Sequence, residues 1–358
     1  MKVGILTFHW ANNYGAVLQA YALLSKLKEL GHDAYIIDRR MVYQGILRKL
    51  YHKFSYEHFF SWRKFWKYTD TFLKPKTRAY MSHDDLVTNF KNENFDAVIV
   101  GSDQVWRWKL IGLNYFLDFI TGHKTKRYSY AASFGLDEWQ GTEDDRKTIS
   151  ALLKQFNRIS VREETGVRIC QETFKVDAEL VLDPTLLHTA EFYEQTLLKN
   201  YKCQPSGKVV SYILGKNKKP QVVEIANWAK SINLKHNELF WTTIEHPSLI
   251  GKSTFHLTHV TPIEWLNEIR NAEYVITNSF HATVFSIIFK KQFVVLTHTE
   301  GGNNRIETLL SCLNINNRST SELQRFNEIL DEKIDYAIVY SSLEKLKKSS
   351  IEYLKTFK

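Results

Sequence analysis

The stretch Ala272–Phe289, AEYVITNSFHATVFSIIF, decides the reading of this chain. It predicts a buried strand, a turn carrying Asn278, Ser279, Phe280 and His281, and an apolar helix beginning near Ala282. A strand that stops where a helix starts gathers polar side chains and free helix N–H groups at one point. First-turn amides have no intrahelical acceptor and the helix dipole is positive there, so the point suits an anion. A histidine at such a spot takes its charge from whatever anion sits beside it. The same residues also describe a capped helix whose histidine only fixes the turn, and the rest of the chain has to separate the two readings.

Working outward, the same strand–helix rhythm recurs on both sides. Val3–Phe8 reads as a strand, Ala16–Leu30 as a helix closed by Gly31, and Ala34–Asp38 as a second strand, a βαβ start that predicts a parallel sheet. Further strands are expected at Ala97–Val100, Arg127–Ala131, Ile159–Val161 and Leu180–Leu182. The segment 196–208, with Gln204-Pro205-Ser206-Gly207, breaks the pattern and reads as an interdomain link. A second series follows: strand Val209–Leu214, helix Gln221–Ile232, strand Leu239–Thr243, and helix Ile263–Asn271 opened by Pro262. After the strand Tyr274–Thr277 come strand Phe293–Thr297, helix Arg305–Cys312 and a basic amphipathic helix from Ser341 to Lys358. The order predicts an α/β chain of two Rossmann-like domains facing a cleft, bounded at 1–203 and 204–325, with a helical tail at 326–358 packing back on the first domain.

Composition narrows the partners. With 358 residues and 44% hydrophobic content, the chain can bury two cores. A net charge of +9 points to an anionic partner. Cys170, Cys203 and Cys312 are too scattered for a zinc motif or a disulfide framework, which fits a reducing cytoplasm. The N-terminus MKVGILTFHW is too short in apolar residues for a signal peptide, and no apolar run reaches the roughly 18–20 residues of a membrane span. Residues 39–80 stand apart: eleven Lys or Arg against Glu57 and Asp70, with Phe59, Phe60, Trp62, Phe65, Trp66 and Tyr68 between them. That composition reads as an insertion whose aromatics pack on the domain, or as a surface that touches the inner face of an anionic membrane. No module for nucleic-acid binding accompanies it.

Four polar clusters fall just after predicted strand ends, where open α/β sheets bind ligands. They are Asn12-Asn13-Tyr14-Gly15; Gly101-Ser102-Asp103-Gln104; Ser160-Val161-Arg162-Glu163; and the Ser279/His281 turn, with Gly301-Gly302-Asn303-Asn304-Arg305 downstream. Each is weak alone, since Asp103 could cap a helix and Arg162 could pair with Glu163. His256-x-x-His259 lacks a third ligand and reads as strand, where i and i+3 face opposite sides, so no metal site is expected. No GxGxxG, GxSxG or Walker A pattern is present.

ILTFHWANNYGAVLQAYAL, VGSDQVW, YAASFG, SVREETG, VLDPTLL, TNSFHATVFSIIF and NNRIETLL, taken in order, resemble the polysaccharide pyruvyl transferase family from Lys2 to about Leu313. Two positions depart from the family's usual Thr-Asp-Ser-Phe-His-Gly-Thr: Asn278 replaces the aspartate and Ala282 the glycine. The first removes a carboxylate that could orient His281, and the second adds a methyl where backbone could approach an anion. The resemblance implies a GT-B-like shape and transfer of the pyruvyl unit of phosphoenolpyruvate onto two hydroxyls of a sugar, as a cyclic ketal, in surface or exopolysaccharide biosynthesis. Arg162, Arg305, Ser279 and the Ala282 amide are then the expected donor-binding groups. His281, kept cationic by the bound anion, is the expected general acid, and Asp103 the base. Asn12, Asn13, Tyr14 and Gln104 are expected to bind the acceptor, a sugar or lipid-linked oligosaccharide. No step demands a metal or other cofactor, though Mg²⁺ is compatible with the chemistry. A nucleotide-sugar glycosyltransferase of the same architecture would use the same helix terminus and arginines, and a non-catalytic subunit of a glycan-assembly complex would tolerate both departures.

Overall fold

The computed structural model describes the chain apart from residues 10–12, 41–64, 109–111, 123, 216–217, 240–241, 249–250, 258–259, 298–302 and 358, and apart from the side chains of 240–259. Most of the basic aromatic segment 39–80 and His256-x-x-His259 therefore lie outside the described residues. Among the described residues no helix is long and apolar enough to cross a membrane.

The N-terminal half is a parallel sheet of β1 (Lys2–Leu6), β2 (Asp33–Ile36), β3 (Ala97–Val100) and β4 (Lys126–Ser129), in the order β2-β1-β3-β4. Backbone bridges Tyr128↔Arg158 and Ala132↔Val161 continue it to β5 (Ser160–Val161), which pairs with β6 (Glu179–Leu180). The C-terminal half has β7 (Lys208–Tyr212), β8 (Lys235–Glu238), β11 (Tyr274–Thr277), β12 (Gln292–Leu296) and β13 (Ser319–Thr320), ordered β13-β12-β11-β7-β8 and also parallel. A hairpin of β9 (Thr242–Ser248) and β10 (Gly251–Leu257) interrupts the second half. Each half thus runs second, first, third, fourth strand of its own series. The chain reverses direction across the sheet between its first and third strands, and the crevice at their carboxyl ends is where such sheets take ligands.

The strands read as continuous apolar runs because both faces are covered. Val3, Ile5, Ala97 and Ile99 point into one cluster, while Leu6, Val98 and Val100 point into another. In the second half Val210, Tyr212, Val275 and Val295 share the first of these clusters, and Val209, Ile276 and Val294 face a third. The cluster common to both halves is filled by three helices that carry the argument below. They are α1 (Tyr14–Glu29), α2 (Pro262–Asn271) and α3 (Phe280–Ile288). α1 starts where the Asn13 side chain accepts from the Ala16 amide, and α2 starts on a reciprocal Thr261–Glu264 capping box with Pro262 in its first turn.

Two expected elements shift by more than two residues. The strand expected at Leu239–Thr243 is Lys235–Glu238, KHNE, an edge strand with a single neighbour. Hydropathy could not flag it, because only the following Leu239 is buried. The tail helix α5 spans Tyr336–Lys355, five residues earlier at its start than expected, and follows α4 (Asn304–Cys312). Its first turns hang on the second half, where the Tyr340 hydroxyl donates to the Ile288 carbonyl at 2.8 Å. Its last turns lie on the first half: Tyr353 donates to Ser129 O at 2.8 Å, and Ser350 Oγ accepts from Leu182 N at 3.0 Å.

Candidate active site

Third-strand ends from both halves meet here. α3 begins directly after β11, with Ser279 in extended backbone at its cap and no side-chain capping bond. The helix starts two residues earlier than the Ala282 expected, so the amides of Phe280, His281 and Ala282 are its first-turn donors. His281 is buried, and its ring lies against Gly15 in the first turn of α1, where a Cβ would stand 2.0 Å from Nδ1. Glycine is required at position 15 for that close approach.

On the facing side, Arg162 leaves the end of β5 and is locked among carboxylates. Nη1 donates to Asp183 Oδ2 at 2.8 Å, Nη2 donates to Asp103 Oδ1 at 3.1 Å, and the guanidinium stacks 4.6 Å from the Phe280 ring centre. Asp183 is the hub. Its Oδ2 also accepts from Ser102 Oγ at 2.7 Å, its Oδ1 accepts from the Thr185 amide and hydroxyl at 3.1 and 2.6 Å, and His281 Nε2 lies 3.6 Å from Oδ2. Burial alone would raise the Asp183 carboxyl, but His281, Arg162 and Thr185 outweigh it and hold the group far below the usual carboxylate range. Asp103 sits at φ +76°, a left-handed backbone that a non-glycine residue adopts only when its surroundings impose it.

Arg305, in the first turn of α4, completes the set. Burial, with Arg162 and Arg107 against Glu163 and Asp103, pushes its guanidinium down to about 10. Burial raises Glu163 despite Arg162 and Arg305 nearby. His281 Nε2, Arg162 Nε, Arg305 Nε, Glu163 Oε2 and Thr165 Oγ1 are all buried without a hydrogen-bond partner. Arg162 Nε and Glu163 Oε2 face each other at 4.0 Å and His281 Nε2 faces Asp183 at 3.6 Å, both too long for a hydrogen bond, so a polar ligand that reached these buried atoms would satisfy them. A cavity of about 50 Å³ opens beside Arg162, Asp183 and Phe280, under α4 and α5.

Of the sequence candidates, His281, Asp103 and Arg162 are drawn together through Asp183, and Arg305 joins them through Glu163. Ser279 is buried at the cap, its carbonyl accepting from Thr283. The Ala282 methyl lies in the shared apolar cluster, so the alanine takes no space from the helix terminus. Asn278 does not address His281. Its Oδ1 accepts from Leu214 N at 2.7 Å and its Nδ2 donates to Leu214 O at 2.9 Å, and the carboxylate facing the histidine comes from Asp183.

The acceptor set fares differently. Tyr14 is turned inward, its hydroxyl donating to Val260 O at 3.0 Å and its ring stacked 5.3 Å from Trp265. Asn13 spends its oxygen on the helix cap, and Gln104 Oε1 accepts from Arg107 at 3.0 Å. Asn12 is outside the described residues. Sequence reasoning gave no role to Asp183, nor to Ser102, Glu163 and Gly15, which it had placed in the strand-end clusters. The available signal for Asp183 was its place directly after the apolar Leu180-Val181-Leu182, the same strand-end position that singled out Asp103.

The sequence model of the polysaccharide pyruvyl transferase family matches residues 13–300. No curated protein matches the chain. Among solved structures, a glycosyltransferase from Rickettsia africae is 13% identical with a TM-score of 0.51, covering 99% of this chain and 98% of its own. The MnaA–UDP co-structure from S. aureus is 11% identical with a TM-score of 0.51, covering 97% of this chain and 91% of its own. At these identities the likeness shows the fold, that of GT-B glycosyltransferases and epimerases.

Proposed function

The chain belongs to the polysaccharide pyruvyl transferase family, and from that premise we propose that it moves the pyruvyl unit of phosphoenolpyruvate onto two hydroxyls of one sugar in surface-polysaccharide assembly. The observation that carries this reading is the set of buried nitrogens without a hydrogen-bond partner, His281 Nε2 and Arg162 Nε at the first turn of α3 and Arg305 Nε on the far side of Glu163. A small ligand with both a phosphate and a carboxylate matches such a set.

The chemistry follows from the donor. His281 gives a proton to the vinyl carbon, leaving a methyl group and positive charge on the phosphate-bearing carbon. A sugar hydroxyl adds to that carbon and loses its proton to Asp103, and a second hydroxyl displaces phosphate by C–O cleavage to close the ketal, its proton returning to the neutral His281. Arg305 and the α3 amides stabilise the leaving phosphate. Arg162, whose Nη1 and Nη2 are already bound to Asp183 and Asp103, holds both carboxylates in place and has its Nε–H left for the donor. The test is phosphorus NMR with phosphoenolpyruvate and candidate glycan acceptors. Acceptor-dependent release of phosphate supports the reading, and turnover of UDP-sugars without phosphoenolpyruvate contradicts it.

A further inference from the structure

Glu163 stands between the two arginines that this reading gives to the donor. The residue is 1% exposed, and its two oxygens have different parts. Oε1 accepts from the Phe134 amide at 2.8 Å and from the Gly135 amide at 3.5 Å, tying the loop after β4 to the end of β5. Oε2 has no hydrogen-bond partner, and Arg162 Nε lies 4.0 Å from it on one side. On the other side is a pocket shared with Thr165 and Arg305, whose Oγ1 and Nε are also buried and unpartnered. That pocket is too narrow to admit a water molecule, so the three atoms are left to satisfy one another. Their chemistry is complementary: the carboxylate oxygen accepts, while the guanidinium Nε–H and the hydroxyl donate.

The pocket is also a seam between the two halves of the molecule. Glu163 and Thr165 belong to the turn from β5 into the short helix Glu164–Arg168, and Arg305 to the first turn of α4. Asn304 Nδ2 donates to Asp137 Oδ1 across the seam, and Glu164 N donates to Thr308 Oγ1 at 3.5 Å. Asp137 is the other carboxylate on the pocket, but it is exposed and its Oδ1 is taken by Asn304. The Glu163–Arg305 pair is unmade in this structure. Against burial, Asp183 and Asp103 raise the Arg162 guanidinium, as carboxylates do in a formed ion pair. Burial wins instead at Glu163, which is raised, and at Arg305, which is lowered to about 10. Two buried charges that face each other without bonding are costly, and the cost is offset when they meet.

We propose that Glu163 is the positioning residue of Arg305: with the donor bound, Oε2 takes the Arg305 Nε–H across the seam and turns both Nη groups to the phosphate. The proposal rests on the pyruvyl-transfer reading for its donor. Arg305 meets the phosphate through Nη1 and Nη2, and its Nε serves by fixing the guanidinium plane. Phosphoenolpyruvate is titrated calorimetrically into the wild type, E163Q, R305K and E163Q/R305K. Glutamine can keep its oxygen on the Phe134 amide, so the loop holds, but it turns an N–H toward Arg305. Lysine keeps the charge at 305 without the forked donors. E163Q is expected to weaken binding about tenfold in the wild-type background and less than twofold beside R305K, while D137N leaves it unchanged. Equal weakening in both backgrounds means that Glu163 acts through the loop, and unchanged or tighter binding in E163Q alone means that it does not hold Arg305. Either result overturns the proposal. If E163Q does not fold, E163D replaces it with the same expectations, being one methylene too short to span the loop and Arg305. If R305K binds too weakly to titrate, nitrogen NMR follows the Arg305 Nε–H. Its exchange with solvent is expected to slow on donor saturation in the wild type and not in E163Q, and equal exchange overturns the proposal. A wild-type chain that ignores phosphoenolpyruvate but slows the same proton with UDP would sink the pyruvyl-transfer reading and leave the positioning role standing. A chain in which neither ligand slows it overturns both.

Discussion

His281 is held where no further atom fits, and that gives the first prediction. In an ordinary helix Gly→Ala is stabilising by about 0.5–1 kcal/mol. At Gly15 the new methyl meets the His281 ring at 2.0 Å, so G15A is expected to lower the melting temperature and abolish donor binding together. A G15A protein that melts higher than the wild type and keeps its donor affinity would show that the two helix ends are not in contact. The second prediction concerns the proton. H281Q is expected to keep the fold and much of the affinity for phosphoenolpyruvate while losing turnover by about 10²–10⁴-fold. Loss of binding with it would make His281 an anion ligand, and near-normal kcat would pass the acid role to another group. At this scale the sequence showed which residues are polar at strand ends, and His281, Asp103 and Arg162 do converge. It could not show partners. Tyr14 and Asn13 looked like ligand groups because a hydroxyl or an amide is visible in the sequence, whereas Val260 O and Ala16 N, which occupy them, are distant or backbone atoms.

The strand–turn–helix unit depends on one two-way amide bond. Asn278 both accepts from and donates to Leu214, joining the ends of β11 and β7 as Thr7 joins β1 to β3. Aspartate could accept there but not donate, so N278D leaves the Leu214 carbonyl unpaired. A destabilisation of about 1–3 kcal/mol is expected in denaturant titration, and an unchanged midpoint would mean that the pairing is dispensable. A second device lies between α1 and the segment after β6. His188 Nε2 donates to the Ala22 carbonyl at 2.9 Å, and the ring stacks on Phe192. Burial, opposed by that hydrogen bond and aided by Lys26, pushes the imidazole down to about 4. The unfolded chain then takes up a proton below about pH 6.5 that the folded chain refuses until about pH 4. Stability is therefore full above that window and falls within it, by up to about 1.4 kcal/mol per pH unit. H188Q, which can still donate to Ala22 O, should lose less melting temperature than the wild type between pH 7 and 5. Equal losses would show that His188 titrates normally. Elements of this kind were legible because buried parallel strands are plain apolar runs. KHNE was not, since an edge strand owes its place to a neighbour's hydrogen bonds rather than to its own side chains.

As a whole the molecule is two Rossmann-like domains joined by one apolar cluster and strapped by α5. Val3 and Val275, far apart in the sequence, face the same core. The Phe357 and Tyr128 rings pack tilted with centres 4.3 Å apart, while Tyr340 holds α3, so α5 spans both halves. Removing residues 341–358 strips Leu343, Tyr353, Leu354 and Phe357, each buried and worth about 1.5–3 kcal/mol, and is expected to destroy the cooperative melt. A truncated chain with the wild-type melting curve would mean that the strap is ornamental. The two-domain order was legible from the recurring strand–helix series. The meeting of α1 with α3 was not, because no local pattern encodes which helix ends face each other across a cleft. The central claim is that this meeting point is a phosphoenolpyruvate site, and calorimetry with phosphoenolpyruvate tests it most directly. Saturable binding to the wild type, displaced by inorganic phosphate and weakened about tenfold or more in R305A, is the predicted result. A wild-type chain that binds a UDP-sugar but shows no heat with phosphoenolpyruvate would contradict it.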